Sequence, residues 1–271
     1  MAHKHLHSIT CIALLTLLLS ACGHAPQQQA TVNPTFATLE DLQGHTVAVI
    51  TGSTSDLLMS DTDNFSGITI VRCATPADLL SIVQHGAADC GIIDTVTLTN
   101  FALAQYGLAV DFNLPGGFDV AAAFDPTDEQ LCNQFNDFLV QVKSDGTLDD
   151  MFARWGSAQL DTVVLPAMPG MESLQGHPIE VAVLTDNPPF SFYRENHWTG
   201  LEVELIMRFG LFINRPMHFS AYQFNEVIPV LKSNEADMAA AGMFITPERS
   251  AQVLFSHPYY FCKTCCISHK Q

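Results

Sequence analysis

An arginine near the end of the chain is the side chain best placed to do chemistry. The apolar stretch Ala236–Ala241 predicts a short buried strand, and Gly242 ends it. A turn follows, with Pro247 at a predicted first helical position and Glu248 beside it. Arg249 therefore lies at a strand-to-helix turn, where a guanidinium can bind a carboxylate through two parallel hydrogen bonds. A surface arginine on a helix cap is the alternative.

A cluster of cysteines near the C-terminal end is the second place where side chains could do chemistry. It consists of Cys262, Cys265 and Cys266. A tetrahedral zinc site would need a fourth ligand, for which His257 and His269 are the nearest side chains. We predict no metal here; a disulfide is the alternative in an extracytoplasmic compartment, and its pairing stays open. The cysteines in apolar stretches are predicted to be small core residues: Cys73, Cys90 and Cys132.

Composition limits what the chain can bind. Its 271 residues, 48% of them hydrophobic, suffice for one large core or two smaller ones. The 28 acidic residues outnumber the 11 basic ones, and the net charge of -17 repels nucleic acid and anionic membrane surfaces. A small or zwitterionic ligand is compatible with this charge. We therefore predict a small-molecule ligand and no nucleic-acid partner.

The N-terminal residues predict a targeting segment. The apolar run Ile9–Leu19 is too short to span a membrane as a helix. It leads into Ser20-Ala21-Cys22-Gly23, which resembles the lipobox of bacterial lipoproteins. That resemblance implies a signal peptide over residues 1–22, lipid attached to Cys22, and anchoring to a membrane without a spanning helix. An ordinary signal peptide with a chance cysteine is the alternative. Residues 23–38 are predicted to be a polar spacer.

From residue 39 onward, strands alternate with helices. The predicted strands are Thr46–Ile50, Ile68–Cys73, Asp89–Asp94, Phe118–Phe124, Ile179–Leu184, Met217–Tyr222, Ala236–Ala241, Val253–Ser256 and Tyr259–Ile267. The predicted helices are Pro76–His85, Thr95–Tyr106, Asp128–Val142, Leu148–Trp155, Gly200–Ile213 and Glu226–Lys232. Residues 159–177 are rich in Pro and Gly and predict a linker. Two such series predict an α/β protein with two lobes, each a mainly parallel sheet covered by helices.

Several motifs resemble one family. VAVLTDNPPFSFY, TGLEVEL and ITPERSAQVLFSHPYY are similar to the first lobe of the periplasmic amino-acid-binding proteins of ABC importers, solute-binding protein family 3. LEDLQGHTVAVITGSTSD, HGAADCGIID and SDGTLDDMFARWG are similar to that family's second lobe and C-terminal helices. The order of the two halves is reversed here, which indicates a circular permutation. A fragment of a tandem or frameshifted gene is the alternative, since Phe261–Gln271 is unlike the family's strand at this point.

The resemblance implies a two-lobed, type II periplasmic-binding-protein-like fold with its lobes in permuted order. Residues 39–124 would form the lobe equivalent to the family's second. Residues 125–158 would be the family's C-terminal helices, packed on the other lobe. Residues 159–177 would be the linker, and residues 178–271 the lobe equivalent to the family's first.

The resemblance also implies the roles of polar groups at a binding site between the lobes. Arg249 would clamp the α-carboxylate of an amino acid. Thr54, with backbone amides around Gly52 and Ser53, would add donors from the other lobe. Asp94 would bind the α-ammonium, although Asp94 could instead cap the following helix and Thr54 could also be a cap.

Further positions would complete that site. The backbone carbonyl of Gly242 would bind the same ammonium, and Asp186 would lie at the site. Phe224 and Phe190 would wall the side-chain pocket, although Phe224 could instead be a core residue. Phe244 departs from the family, which usually has Thr or Ser there. The loop at residues 185–190 is also shorter than in many members and lacks their stacking aromatic.

The function implied by the resemblance is that of a lipid-anchored, extracytoplasmic binding protein. It would be a monomer without a cofactor that delivers an amino acid or analogue to the membrane subunits of an ABC importer. The alternatives are an enzyme on the same fold, similar to cyclohexadienyl dehydratase, and a sensor or degenerate copy without a transport role.

Overall fold

The computed structural model describes residues 34–63, 65–99, 101–156 and 160–270, and of Asp161 only the backbone. The predicted signal peptide, Cys22 and most of the predicted spacer lie outside these ranges. Within them, no helix is both long and apolar enough to cross a membrane.

The described chain contains fifteen strands and eight α-helices. The strands are β1 (Thr46–Ile50), β2 (Thr69–Cys73), β3 (Cys90–Asp94), β4 (Leu108–Asn113), β5 (Phe118–Val120), β6 (Ala123–Phe124), β7 (Ile179–Val183), β8 (Asp186–Asn187), β9 (Ser191–Arg194), β10 (His197–Thr199), β11 (Met217–Ala221), β12 (Met238–Ala239), β13 (Leu254–Phe255), β14 (Tyr260–Cys262) and β15 (Thr264–His269). The helices are α1 (Thr54–Met59), α2 (Pro76–Gln84), α3 (Thr95–Leu98), α4 (Glu129–Ser144), α5 (Thr147–Trp155), α6 (Leu201–Ile213), α7 (Val227–Lys232) and α8 (Pro247–Ser250).

Two five-stranded sheets form two lobes. The N-lobe is built on the sheet β2-β1-β3-β15-β4, and the C-lobe on the sheet β11-β7-β12-β6-β13. In each sheet three strands run parallel, β2, β1 and β3 in one and β11, β7 and β12 in the other, while the remaining strands pair antiparallel. The predicted α/β class and the two-lobed, type II binding-protein-like arrangement are confirmed.

The sheet of the N-lobe is buried on both faces. On β1, Val47 and Val49 enter one apolar cluster, whereas Ala48 enters the cluster on the opposite face. This alternation follows from the two-residue period of a strand. Because both faces are covered, β1 is a continuous apolar run, which is why the sequence predicts its bounds correctly.

The chain crosses between the lobes twice. It leaves the N-lobe after β4 and reaches β6 of the C-lobe through β5; it returns from β13 to β15 through β14. Strands β5 and β14 pair antiparallel as a separate two-stranded ribbon. We call these two paired strands the interlobe ribbon. The predicted single strands at residues 118–124 and 259–267 are therefore each divided, because each stretch leaves one sheet and enters another.

The C-terminal tail completes the N-lobe. Strand β15 lies between β3 and β4, and Cys265, Cys266 and Ile267 on it are fully buried. The tail was expected to be unlike the family, yet its small and apolar side chains fill a central strand position.

One predicted helix is wrong over most of its length. Only Thr95–Leu98 is α-helical; a 3-10 turn covers Leu103–Tyr106, and the strand β4 that follows was not predicted. The stretch contains three threonines, which favour helices weakly, since their branched side chains lose rotamer freedom there. Gly107 then adopts a φ of +66°, which ends the turn and starts β4.

Helices α4 and α5 pack on α6 of the C-lobe through aromatic and ionic contacts. Phe135 and Phe138 of α4 contact the ring of Phe209, with ring centroids 4.9 and 5.6 Å apart. The indole Nε1 of Trp155 donates to the carboxylate of Glu204 at 2.8 Å. These contacts fix α6, whose first turn lies behind the pocket described next.

Candidate functional site

A pocket lies between the lobes at the carboxyl ends of the parallel strands. Residues at the ends of β1 and β3 line it from the N-lobe, and residues that follow β7 and β12 line it from the C-lobe. Ligands of open parallel sheets bind at this edge. Seven of the residues that the sequence predicts for the site line this pocket: Ser53, Thr54, Asp94, Asp186, Phe224, Gly242 and Arg249.

Arg249 is buried, with 4% of its surface exposed, so the alternative of a surface arginine is wrong. Thr246 caps α8 by accepting a hydrogen bond from the Arg249 amide at 3.3 Å, and Pro247 starts the helix as predicted. The guanidinium donates to the carbonyl oxygen of Phe244 at 2.9 Å and to that of Gly52, in the opposite lobe, at 3.1 Å. Its carbon lies 5.1 Å from the ring centroid of Phe224.

The charge of Arg249 persists at neutral pH. Burial lowers the pKa of its guanidinium to about 10, while Asp94 and Glu248 counteract that shift. Within the described residues this guanidinium forms no ion pair, so an anionic ligand group would be attracted to it, because its own hydration has been removed.

Asp94 is half-buried at the end of β3 and faces the same pocket. It occupies the N-cap position of α3, but its side chain makes no capping hydrogen bond. The capping role that the sequence left open is therefore not realised. Burial raises the pKa of Asp94 to about 7, and the nearby positive charge of Arg249 opposes this shift.

The turn after β1 offers a hydroxyl rather than backbone amides. The amide of Gly52 donates to Asp56 Oδ2 at 2.9 Å, and the amide of Ser53 donates to the carbonyl of Ile50 at 3.0 Å. Ser53 caps α1 by accepting from the Asp56 amide at 3.1 Å. The predicted amide donors are thus already paired, because this tight turn uses them internally. By contrast, the buried Thr54 Oγ1 has no hydrogen-bond partner within the described part of the chain.

Asp186 brings a second carboxylate to the pocket from the C-lobe. It is half-buried in β8, and its pKa is raised, first by burial and second by the negative charge of Asp78. Asp78 lies in the first turn of α2, on the opposite lobe. A cation between the lobes would relieve this repulsion.

Phe190 does not line the pocket. It is buried, with 2% of its surface exposed, and packs behind Gly242. A Cβ atom on Gly242 would come within 3.2 Å of the Phe190 ring and 3.1 Å of Asn187 Nδ2. Phe190 therefore supports the loop of Gly242 instead of walling the pocket, because the bend after Asn187 turns its ring inward.

Phe244, the departure from the family, lies at the edge of the pocket. Its ring stacks on Phe118 of the interlobe ribbon, with centroids 4.9 Å apart and an interplanar angle of 13°. Its backbone carbonyl accepts from Arg249. An aromatic contact with the ribbon thus occupies the position where the resemblance predicts a hydroxyl.

Sequence reasoning missed several groups of the site. Thr75 and Pro76 bring the N-terminus of α2 to the pocket, and Tyr222 lines it from the C-lobe. Glu202, which lies behind the pocket, was also missed. Its carboxylate is fully buried, and burial raises its pKa to about 7, while hydrogen bonds from Tyr259 and Gly242 lower it. The signal in the sequence was a carboxylate inside the apolar motif TGLEVEL.

The cysteines form neither a disulfide nor a metal cluster in the described ranges. The six described cysteines are free and buried, which confirms the core positions predicted for Cys73, Cys90 and Cys132. No group of three or more His, Cys, Asp or Glu side chains in those ranges has the arrangement of a metal site.

Comparison with known proteins shows which family the C-terminal part of the chain resembles. Residues 179–271 match the family model of bacterial extracellular solute-binding proteins, family 3. The putative ABC transporter arginine-binding protein 2 of Escherichia coli (strain K12) is 40% identical over 83 residues, which cover 30% of this chain and 34% of that protein. The arginine-binding extracellular protein ArtP of Bacillus subtilis (strain 168) is 33% identical over 85 residues, 31% of this chain and 33% of that protein. A probable histidine-binding protein of Campylobacter jejuni is 32% identical, over 31% of this chain and 33% of its own length.

The chain thus spans about a third of the length of the curated relatives it matches. Among solved structures, an ancestral arginine-binding protein bound to glutamine is 33% identical over 32% of this chain and 39% of its own, with a TM-score of 0.31. A phosphate-binding protein from Streptococcus pneumoniae is 12% identical over 83% of this chain and 88% of its own, with a TM-score of 0.42. The C-terminal part of the chain is thus similar in sequence to family 3 solute-binding proteins, and the relatives named here are binding proteins.

Proposed function

We propose that the protein binds a free amino acid with a cationic side chain in the pocket between its lobes. The observation that carries this proposal is the buried guanidinium of Arg249 at the pocket. It is supported by two carboxylates at the same pocket, those of Asp94 and Asp186. One positive and two negative groups complement a ligand with one carboxylate and two cationic groups.

In this proposal Arg249 binds the α-carboxylate of the ligand. Two of the five N–H groups of the guanidinium donate to carbonyl oxygens, and the other three have no hydrogen-bond partner among the described residues, so they can donate to the ligand. The hydroxyl of Thr54 adds a donor from the N-lobe, with Ser53 beside it at the pocket wall. Gly52 has an indirect role, since its carbonyl holds Arg249 in place.

Asp94 binds the α-ammonium. A cation beside Asp94 favours its ionised form, so binding should release the proton that burial retains. The backbone carbonyl of Gly242 is the second partner of the ammonium. A zwitterion that leaves water loses strong hydration at both charges, and these groups replace that hydration.

Asp186 binds the cationic end of the ligand side chain, and Phe224 covers its aliphatic part. The repulsion between Asp186 and Asp78 of the opposite lobe supports this assignment, because a bound cation would offset it as the lobes close. The relatives with arginine- and histidine-binding names make this ligand class the one to test first.

The wider role that we propose is delivery of this ligand to the membrane subunits of an ABC importer. The protein would act outside the cytoplasm as a monomer, anchored through lipid on Cys22, after removal of residues 1–22 and with residues 23–38 as a spacer. The two halves would be in circularly permuted order, with residues 39–124, 125–158, 159–177 and 178–271 as the segments, except that β6 and β15 each belong to the sheet of the other lobe. The family match at residues 179–271 supports the family, and nothing in it requires catalysis.

The experiment is a thermal-shift screen of the chain without residues 1–22 against a panel of amino acids, followed by calorimetry. A ligand at 100 times its Kd should stabilise the folded protein by about 2.7 kcal/mol. Arginine, lysine and histidine should raise the melting temperature, and Arg249→Ala should abolish the effect. Lys232→Ala, which removes an exposed cation of α7, is the matched control and should bind as the wild type does. Folded wild-type protein that responds to no amino acid would refute the proposal.

A further inference from the structure

A buried carboxylate behind the pocket has no part in the ligand contacts proposed above. Glu202 lies in the first turn of α6, and its side chain is fully buried. Both of its oxygens lie 3.0 Å from the amide nitrogen of Gly242, and the hydroxyl of Tyr259 donates to Oε1. Within the described ranges its partners are neutral donors and it forms no ion pair. A carboxyl group in such a place orients its donors, because a buried donor left without a partner costs free energy.

Glu204, on the same helix, shows what an ordinary structural carboxylate looks like in this protein. It is equally buried, but it pairs with Arg154 at 2.8 Å and Arg208 at 2.7 Å. Neither Glu204 nor its partners line the pocket between the lobes. Glu204 therefore links α6 to α5, whereas Glu202 is hydrogen-bonded to the loop that forms the pocket wall.

The hydrogen bond to Gly242 sets the orientation of one peptide unit at the pocket. In a trans peptide the N–H and the preceding C=O point in opposite directions. Because the Gly242 N–H points to Glu202, the carbonyl of Ala241 points away from Glu202. Both residues line the pocket, and Gly242 has a φ of +60°, which a glycine adopts without strain. Within the described residues Glu202 is the hydrogen-bond partner of this N–H, so its removal would leave the amide unpaired.

The second donor connects the same carboxylate to the interlobe ribbon. Tyr259 directly precedes β14, and its amide donates to the carbonyl of Val120 in β5 at 3.0 Å. Glu202 thus holds the pocket loop with one contact and the ribbon between the lobes with the other.

We propose that Glu202 is a positioning residue for ligand binding. It fixes the Ala241–Gly242 peptide and thereby positions the loop of Gly242, whose carbonyl is the proposed partner of the ligand's ammonium; through Tyr259 it also fixes this loop to the interlobe ribbon. The inference rests on the proposed function, since it deepens the account of the same site.

The test compares four variants by calorimetry with L-arginine and by thermal melting. Glu202→Ala leaves the Gly242 amide without a partner and should raise Kd by about tenfold or more, which corresponds to a lost hydrogen bond at a buried site. Glu202→Gln keeps an oxygen that can accept from this amide and should recover most of the affinity. Tyr259→Phe removes one contact and should raise Kd by roughly threefold. Glu204→Gln is the matched control, which should lower the melting temperature but leave Kd within about twofold.

The outcomes separate the inference from the proposed function. If the wild type binds arginine and Glu202→Ala binds it equally well, the inference fails and the function stands. The inference also fails if Glu204→Gln weakens binding as much as Glu202→Ala does, because both residues would then act through general stability. If Glu202→Ala does not fold, Tyr259→Phe decides: a folded Tyr259→Phe that binds arginine as tightly as the wild type refutes the inference. A folded wild type that binds no amino acid refutes the proposed function itself, and the inference with it.

Discussion

The guanidinium of Arg249 links the two lobes through its own hydrogen bonds. It donates to a carbonyl of its own loop and to the carbonyl of Gly52 in the other lobe, and it stacks on Phe224. Arginine suits this position because its planar fork can make these contacts and still present donors to a carboxylate. A lysine could not reproduce this geometry, since its ammonium carries three donors at one point.

Asp186 should determine the preference for a cationic side chain. Asp186→Asn removes the negative charge but keeps the size of the group, so the affinity for arginine should fall by about tenfold or more, as for loss of a charged hydrogen bond. The affinity for glutamine should change by less than about threefold, because its side chain has no charge to lose. Calorimetry with both ligands measures the difference. Equal losses for the two would contradict the role of Asp186.

The buried carboxyl groups predict how stability depends on pH. Burial raises the pKa values of Asp94 and Glu202 to about 7, and those of Asp111 and Asp186 shift in the same direction. A raised folded-state pKa contributes stability that is complete below the ordinary pKa, near 4, and is lost as the pH rises through about 7. The ligand-free protein should therefore become more stable as the pH falls from about 8 to about 5.

Asp94→Asn should remove part of this pH dependence and stabilise the protein at the alkaline end. Urea denaturation at both pH values measures it, with Asp149→Asn on the exposed face of α5 as the control. The account would be contradicted if the free energy of unfolding changed between the two pH values by the same amount in Asp94→Asn as in the wild type.

At the scale of elements, β15 is the strand on which the N-lobe depends most. It separates β3 from β4, and Ile267 on it is fully buried. Ile267→Ala should cost about 3 kcal/mol of unfolding free energy, through lost apolar burial and the cavity left behind. Val164→Ala, at a side chain that is 74% exposed, should cost less than about 0.5 kcal/mol. Urea denaturation checks both, and a small loss for Ile267→Ala would indicate that β15 is not packed as described.

Long, regular elements were predictable because one local rule decides each of them. The apolar run of β1, the proline that starts α2, and the amphipathic helix α4 all appear near their predicted bounds. Asp128 caps α4 by accepting from the Leu131 amide, as residues of its type do. Pro247 and Arg249 on α8 were also predicted correctly, since the strand, turn and proline follow one another within a short stretch.

The elements that were predicted wrongly depend on contacts between residues far apart in the sequence. The stretches 118–124 and 259–267 look like single strands, yet each leaves one sheet for another. The small three-stranded antiparallel sheet of β8, β9 and β10 was missed because its strands are brief and mostly polar. At the site, the sequence also could not predict that the Gly52 amide bonds to Asp56 or that the Phe190 ring turns inward. Each contact depends on residues that come close only in the folded loop.

At the scale of the whole molecule, each lobe contains a strand from the other half of the sequence. β15 from the C-terminal end completes the N-lobe sheet, and β6 from the N-terminal half lies between β12 and β13 of the C-lobe. Most of the residues that the resemblance predicts for the site line one pocket between the lobes. The resemblance could not show which strands cross, because strand exchange is fixed by long-range pairing.

Neither half should fold alone. Residues 34–156 would lack β15, and residues 160–270 would lack β6, so each would expose the unpaired edges of a central gap in its sheet. Expressed separately, both should show the circular dichroism and poor amide dispersion of unfolded chains; mixed, they should regain native signals. A half that gives a dispersed spectrum by itself would contradict this view of the architecture.

The most direct measurement compares L-arginine with agmatine, which is arginine without its α-carboxylate, on wild-type protein and on Arg249→Ala. Calorimetry should find that the wild type binds arginine at least about a hundredfold more tightly than agmatine, since the buried guanidinium would have lost its partner. In Arg249→Ala this difference in affinity should disappear, because the group that binds the carboxylate has been removed. Equal binding of the two ligands by the wild type, or a preference that survives in Arg249→Ala, would contradict the central claim that Arg249 clamps the carboxylate of an amino acid.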